Sequence, residues 1–231
     1  MIDPFERVAV LTGIEAEGAA LRKAVAHREE KIHSIGSVYV GDPLIIATAG
    51  PGLIAAARTT EAVIRLYSPD VILSIGTAGG LSVAMEPFDL FAASEVMQHD
   101  VDLRAMGIGW SRKTPLRRLY RPDPDWLEKL RELPSAAVKT GRLLSGSAVV
   151  GAEVLKGRPE LSTELSGDAV DMETVAVATV AAAHGVPWAS LRVISDLPGD
   201  QENAFPHRDF RDTIRRASRI LADSLIPLTE R

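Results

Sequence analysis

Three acidic residues each stand at the end of an apolar run, where the carboxylates of an enzyme site commonly lie. Glu17 follows the first such run, Glu173 lies between an apolar run and a helix-type run, and Asp196 closes the run that begins at Trp188. Ligands of α/β sheets bind beside the carboxyl ends of strands, so these side chains are candidates for acid and base chemistry. Carboxylates also offset the helix macrodipole, and aspartate caps turns. Taken singly, each of the three is better explained by such a structural role.

Two glycine clusters follow predicted strands as well. They are Gly-Pro-Gly at 50–52 and Gly-Thr-Ala-Gly-Gly at 76–80. Glycines in such places let backbone N–H groups approach a ligand closely. Neither cluster matches the dinucleotide-binding fingerprint or the P-loop, so a nicotinamide cofactor and ATP are both poorly supported.

Other kinds of catalytic site are excluded or weakly supported by the residues present. The chain has no cysteine, which excludes thiol nucleophiles, disulfides and zinc–thiolate sites. The histidines show no metal-binding spacing, and the only local cluster of histidine with carboxylates is the run at 99–102 (His-Asp-Val-Asp), so we expect no metal site. No Gly-x-Ser-x-Gly elbow supports a serine hydrolase.

Length and composition indicate a globular protein with a sizeable core. The chain has 231 residues, is 46% hydrophobic and carries a net charge of −5, which argues against nucleic-acid binding as its main task. No run approaches the roughly 18 apolar residues of a membrane span, and the first seven residues lack the pattern of a signal peptide. We therefore expect a cytoplasmic location and no membrane span.

Strand-type and helix-type runs alternate along the chain. Strands are predicted at 7–11, 44–48, 71–75, 90–96, 136–144 and 188–194, and helices at 15–26, 53–67, 173–184 and 208–225. Gly185 stands where a left-handed helix cap is expected, with Pro187 just beyond it. The alternation predicts an α/β fold with a largely parallel or mixed sheet.

The segment 103–122 is unusual because it carries six basic residues and no acidic one. It could act as a lid or attract an anion. A solvated insertion loop explains it better, since runs of charge are usually solvated.

The order of the motifs identifies a family. The runs that carry the resemblance are Thr-Gly-Ile-Glu-Ala-Glu (12–17), Ala-Gly-Pro-Gly (49–52), Ser-Ile-Gly-Thr-Ala-Gly-Gly-Leu (74–81), His-Asp-Val-Asp (99–102), Ser-Gly-Ser-Ala (145–148), Ala-Val-Asp-Met-Glu (169–173) and Val-Ile-Ser-Asp (193–196). This series resembles the nucleoside phosphorylase/nucleosidase superfamily over residues 7–225. Within it, the chain is most similar to the 5′-methylthioadenosine/S-adenosylhomocysteine nucleosidases.

The resemblance implies both a fold and an assembly. The expected fold is one α/β domain over residues 1–231, with a central mixed, partly barrel-like sheet flanked by helices. Members of the family are usually homo-oligomers, and a dimer is favoured here. The implied partner is a small-molecule nucleoside, with no cofactor.

The resemblance also assigns roles to particular residues. Glu17 would activate the attacking water, Asp196 would protonate N7 of the leaving purine, and Glu173 would hold the ribose hydroxyls. The remaining substrate-binding positions that it implies are Thr77, Ala78, Gly79, Val149, Val150, Met172, Arg192 and Ser195. These roles agree with the chemistry, because an oxocarbenium-like transition state needs an acid for the leaving group and an ionised carboxylate for the water.

Several departures from the family pattern affect the expected substrate. Val149 stands where the family carries an aromatic ring that stacks on the purine, so stacking should be weaker. Ser147 and Asp171 also replace more usual residues. Features at 123–127 and 181–187 are similar to hopanoid-associated nucleosidases, and futalosine hydrolases are another related group.

Three other functions remain open from the sequence. A phosphorylase would use phosphate in place of water, but the Gly-Asp-Pro at 41–43 lacks the arginine expected after it and is better read as a hairpin turn. A nucleoside-binding module without catalysis would not need Asp196. Nucleic-acid binding through 103–122 would rest on one basic segment of an acidic chain.

Overall fold

One mixed β-sheet organises the protein in the computed structural model. The structure describes residues 7–25, 27–32, 35–108, 118–134, 137–197 and 207–229. Within these ranges the strands are β1 (Val8–Thr12), β2 (His27–Ile32), β3 (Gly36–Gly41), β4 (Leu44–Thr48), β5 (Val71–Gly80), β6 (Leu90–Gln98), β7 (Leu119–Tyr120), β8 (Val138–Ser145), β9 (Ala169–Asp171) and β10 (Trp188–Asp196). The helices are α1 (Glu15–Ala24), α2 (Leu53–Tyr67), α3 (Pro124–Arg131), α4 (Ala152–Gly157), α5 (Thr174–His184) and α6 (His207–Thr229).

Part of this sheet closes on itself. β5 pairs with β10, β10 with β6, β6 with β8, β8 with β9, and β9 again with β5. β7 pairs with β6, and the remaining strands extend from β5 in the order β1, β4, β3 and β2. The predicted α/β fold with a mixed, partly barrel-like sheet is confirmed. Closure brings the ends of β5, β9 and β10 together.

Helices cover both faces of the sheet, which explains why its central strands are continuously apolar. All five residues of β1 are buried. Ala9 and Leu11 pack toward α2 and α5, whereas Val8 and Val10 pack toward α1, α3 and α6. The alternation follows from the two-residue period of a strand, and burial on both faces favours apolar residues at every position.

The largest differences from the sequence prediction concern β5 and the β2–β3 hairpin. The sequence predicts that this strand ends at residue 75, before the glycine cluster at 76–80, but β5 runs through the cluster, because its backbone continues to pair with β10 as far as Gly79. The sequence does not predict the hairpin, since β2 is charged and largely exposed at the edge of the sheet. The turn at 41–43 does join two antiparallel strands, as predicted.

The predictions for the basic segment and for a membrane span can be compared with the structure only over the described residues. Residues 109–117 of the basic segment lie outside the described residues, while Leu119 and Tyr120 form a short strand against β6. Among the helices that the structure describes, none is both long and apolar enough to cross a membrane.

Gly185 provides a test of the helix cap. Its φ is +67°, and a Cβ there would meet no atom within 4 Å, so Gly185→Ala adds backbone strain without a clash. We expect the free energy of unfolding to fall by about 1 kcal/mol. Gly157→Ala in α4 is the matched control, because it also has open space and lacks a left-handed φ. Urea denaturation of both variants measures the difference, and equal losses would contradict the expected cap.

Candidate active site

Glu17 is held at the start of α1 by four hydrogen bonds. Its Oε2 accepts from the N–H groups of Gly13 and Ile14, both at 3.0 Å. Its Oε1 accepts from the N–H and the hydroxyl of Thr77, at 2.8 and 2.9 Å. The residue is only 5% exposed. Donors from the turn between β1 and α1 and from β5 therefore fix this carboxylate against the end of the sheet.

Glu173 lies directly before α5 and faces the Gly-Pro-Gly cluster at 50–52. Its Oε1 accepts from the N–H of Gly52 at 3.0 Å. Burial, followed by the nearby charge of Asp171, raises the pKa of Glu173 from 4.5 to about 7, and Arg192 opposes that rise. Glu173 is therefore close to half-protonated at neutral pH.

Gly13 leaves room for both of these carboxylates. A Cβ at this position would lie 3.1 Å from Oε1 of Glu173 and 3.3 Å from Oε2 of Glu17. Two carboxyl groups thus border the same backbone position. That proximity agrees with the contribution of Glu17 to the raised pKa of Glu173.

A buried ion pair lies behind these two residues. Nη2 of Arg192 is 2.6 Å from Oδ2 of Asp171, and both side chains are almost wholly inaccessible. The same Nη2 donates to the hydroxyls of Ser74 and Thr174, at 2.7 and 2.5 Å. Asp171 also accepts from the hydroxyl of Ser145 at 2.5 Å. Arg192 therefore links β10 to β5, β9 and α5 from below the site.

Asp196 ends β10 on the other side of β5. Its Oδ1 lies 2.5 Å from the hydroxyl of Ser195, which is also 3.2 Å from the carbonyl oxygen of Ala78. A Cβ at Gly79 would come within 3.6 Å of Oδ2 of Asp196. The carboxyl group therefore lies over the glycine-rich end of β5.

β5 sets the spacing between Glu17 and Asp196. Thr77 contacts Glu17, and Gly79, two residues further along, faces Asp196. Residues i and i+2 of a strand share one face and are about 7 Å apart, so the two carboxyl groups are separated by roughly that distance along the strand. This spacing leaves room for a substrate between them.

The remaining predicted substrate-binding positions differ in their surroundings. Thr77 and Met172 are half-buried, and Ala78 is buried. Val150 packs into a small apolar cluster with Leu81 and other residues. Val149 is 73% exposed, so in the single chain its side chain lies in the open rather than in a pocket with the carboxylates.

The run at 99–102 serves a structural role. Asp100 accepts from the N–H of Ser147 at 2.8 Å, and Arg158 donates to the carbonyl oxygen of His99 at 2.7 Å. Burial lowers the pKa of His99, which favours its neutral form. Within the described ranges, no group of three or more His, Asp or Glu side chains could hold a metal ion.

Sequence reasoning misses two parts of this arrangement. It gives Arg192 as a substrate-binding position but does not identify its partner, Asp171. It expects Gly52 to offer its N–H to a ligand, whereas the structure gives that N–H to Glu173. The polar Ser74 within an otherwise apolar strand is the available signal for the buried network, because a hydroxyl in a core requires a partner.

Comparison with known proteins shows which family model and which relatives the chain is similar to. A family model described as the phosphorylase superfamily matches residues 7–228. A curated 5′-methylthioadenosine/S-adenosylhomocysteine nucleosidase of Geobacillus thermodenitrificans is 27% identical over 97% of this chain and 98% of its own length.

Two solved structures show the same fold. The nucleosidase of that name from Campylobacter jejuni aligns with a TM-score of 0.85 at 20% identity, covering 96% of this chain and 98% of its own. A futalosine hydrolase from Helicobacter pylori aligns with a TM-score of 0.83 at 24% identity, covering 96% of each chain.

The raised pKa of Glu173 predicts a pH-dependent cost to stability. A carboxyl group whose folded pKa is raised stabilises the fold most below its unfolded value of 4.5, and that contribution is lost as the pH rises through about 7. Glu173→Gln should therefore raise the free energy of unfolding at pH 8 by up to about 3 kcal/mol. The gain should disappear near pH 4.

Urea denaturation across this pH range provides the measurement. Glu153→Gln is the matched control, because the Glu153 side chain is 85% exposed. It should change little at any pH. A Glu173→Gln protein that is no more stable than the parent at pH 8 would disprove the assignment of a raised pKa.

Proposed function

Because this chain belongs to the phosphorylase superfamily, we propose that it is an N-glycosyl hydrolase that releases the purine base of a nucleoside by attack of water on the sugar. The observation that carries the proposal is the placement of Glu17 and Asp196 on either side of β5, with Glu173 beside Glu17. The curated relative of this chain that is named above is a nucleosidase.

Glu17 is the base that orients the water. Three of its four hydrogen bonds come from backbone N–H groups, which cannot turn away. The fourth comes from the Thr77 hydroxyl, which can rotate and free one lone pair for a water molecule. An ionised carboxylate in this position also stabilises the positive charge that develops on the sugar.

Asp196 is the acid for the leaving group. A departing purine anion is stabilised when a proton reaches N7 as the bond breaks, and a carboxylic acid within hydrogen-bond distance can deliver it. The Ser195 hydroxyl lies 2.5 Å from Oδ1 and orients the carboxyl group. Water attack on one side of the sugar and protonation of the base on the other match the spacing along β5.

Glu173 holds the ribose hydroxyl groups. Its carboxylate borders Gly13 next to Glu17, so a sugar bound there would be presented to the water. Charge-assisted hydrogen bonds from two hydroxyl groups favour the ionised form, and substrate binding should therefore lower the pKa of Glu173 from about 7.

For the substrate, we propose the 5′-methylthioadenosine/S-adenosylhomocysteine class. The names of the curated relatives support this choice. The alternative is a nucleoside with a larger 5′ substituent, as in futalosine or an adenosyl-lipid. The structural likeness to a futalosine hydrolase and the lack of a stacking ring at Val149 favour keeping that alternative.

Removal of the acid tests the assignment of Asp196. Asp196→Asn keeps the size of the side chain but cannot donate the carboxyl proton. Base release should fall about 10²–10⁴-fold in kcat, the range for loss of a general acid. Asp123→Asn, at the cap of α3, is the control and should keep its activity. An Asp196→Asn protein with full turnover would disprove the mechanism.

The need for phosphate distinguishes hydrolysis from phosphorolysis. Base release from 5′-methylthioadenosine, S-adenosylhomocysteine, adenosine, inosine, futalosine and an adenosyl-lipid should be measured with and without inorganic phosphate. We expect release of adenine without phosphate, fastest with one of the first two substrates. Strict dependence on phosphate would overturn the hydrolase assignment, and preference for futalosine or the adenosyl-lipid would shift the substrate class alone.

A further inference from the structure

A groove of about 500 Å³ runs between α1 and α6, apart from the carboxylates of the candidate active site. Its volume lies in the range of small-molecule pockets. We call its uncharged lining the floor, which consists of Ile14, Ala16, Ala19, Ala20, Phe210, Ile214 and Ser218. Ile14 is the point of contact with the active site, since its backbone N–H donates to Glu17 while its side chain lines the groove.

The floor of the groove is effectively apolar. The hydroxyl of Ser218 accepts from the N–H of Ala20 at 3.1 Å, which ties the two helices together. Ile214 is buried, whereas Phe210 at one side is 41% exposed. An exposed aromatic ring beside a floor of small residues presents apolar surface that an apolar ligand could cover.

Cations line the rim of the same groove. Lys23 on α1 and Arg211 and Arg219 on α6 are exposed and line it together with Arg215. Arg215 pairs with Asp212 at 2.7 Å. The other three make no ion pair within the part of the chain that the structure describes. On a chain with net charge −5, this local excess of positive charge favours an anionic ligand.

We propose that the α1–α6 groove binds a single-chain anionic amphiphile of the fatty-acid class. The acyl chain would lie on the apolar floor between Ala16 and Ile214, and the anionic head would meet Lys23, Arg211 and Arg219. This ligand supplies apolar surface and negative charge together, as the groove requires. The proposal does not depend on the activity of the neighbouring site.

A docked helix, a nucleic acid and a lipid within a bilayer each fit the groove less well. A docked helix is about 10 Å across, so the groove would hold only about one turn of it. Nucleic acid brings negative charge but no aliphatic chain for the floor. A lipid in a bilayer has the right chemistry, but the groove is a concave slot between two helices, which suits one chain taken up from solution.

Calorimetry with dodecanoate below its critical micelle concentration tests the proposal. Acetate serves as the charge-only probe and decanol as the chain-only probe. We expect dodecanoate to bind at least about tenfold more tightly than either probe, and more weakly at higher salt. Equal binding of acetate would indicate a simple anion site, and equal binding of decanol a non-specific apolar surface; either result would overturn the proposal.

Two variants locate the binding. Arg211→Glu/Arg219→Glu should weaken dodecanoate binding at least about tenfold through charge repulsion. Ala16→Trp should weaken it by filling the groove, since Ala16 is exposed and the change leaves the core intact. The matched control is Arg131→Glu/Lys156→Glu, which makes the same change in net charge on α3 and α4.

These variants distinguish binding in the groove from binding elsewhere on the protein. Circular dichroism melting should confirm that each variant is folded. Unchanged dodecanoate binding in both groove variants would overturn the proposal, as would equal weakening in the control. Vesicles of phosphatidylglycerol and phosphatidylcholine form the last arm, and binding to them without binding of monomeric dodecanoate would assign this face to a membrane surface instead.

Discussion

The site depends on compensation of the buried positive charge of Arg192. Its side chain is buried beneath the end of the sheet, where Nη2 meets Asp171, Ser74 and Thr174. Removing a charge from water costs several kcal/mol unless it is paired and hydrogen-bonded, and this arginine pairs with a carboxylate that is itself fully buried. Loss of either partner would leave an uncompensated charge in the core.

This cation also makes a cluster of carboxylates possible. Asp171 and Glu173 are two residues apart, and Glu17 lies across Gly13 from Glu173. Three negative charges so close together would repel one another, and protonation of one of them is the least costly way to relieve that repulsion. Asp171 is paired with Arg192 and Glu17 is held by four donors, so the proton goes to Glu173. Burial, followed by the charge of Asp171, raises the pKa of Glu173 to about 7.

Closure of the sheet brings these groups to one place. Glu17 follows β1, Asp171 ends β9, and Asp196 ends β10, yet all three strands neighbour β5. β5 is the common support: Thr77 contacts the carboxylate of Glu17, and Gly79 lies under that of Asp196. The residues that carry the chemistry are far apart in sequence because each lies at the end of a separate strand or the start of a helix.

Much of this fold and site follows from local patterns in the sequence. The apolar runs predict the central strands and most helices, because burial on both faces leaves a strong signal, and Glu17, Glu173 and Asp196 stand out at strand ends. The β2–β3 hairpin escapes prediction because edge strands are held by backbone pairing rather than by apolar side chains. The pairing of Arg192 with Asp171 escapes it because it joins residues 21 positions apart through tertiary closure, which no local spacing encodes. The exposure of Val149 likewise depends on how its loop lies on the fold.

Isotope-edited infrared titration of the Glu173 carboxyl group is the most direct test of this charge arrangement. The band is assigned by its loss in Glu173→Gln and is followed from pH 4 to 9 in the parent and in Arg192→Met. We predict a midpoint near 7 in the parent, as its pKa requires, and a higher midpoint without Arg192. A midpoint near the ordinary 4.5 in the parent, or one that Arg192→Met leaves unchanged in a folded protein, would contradict this arrangement.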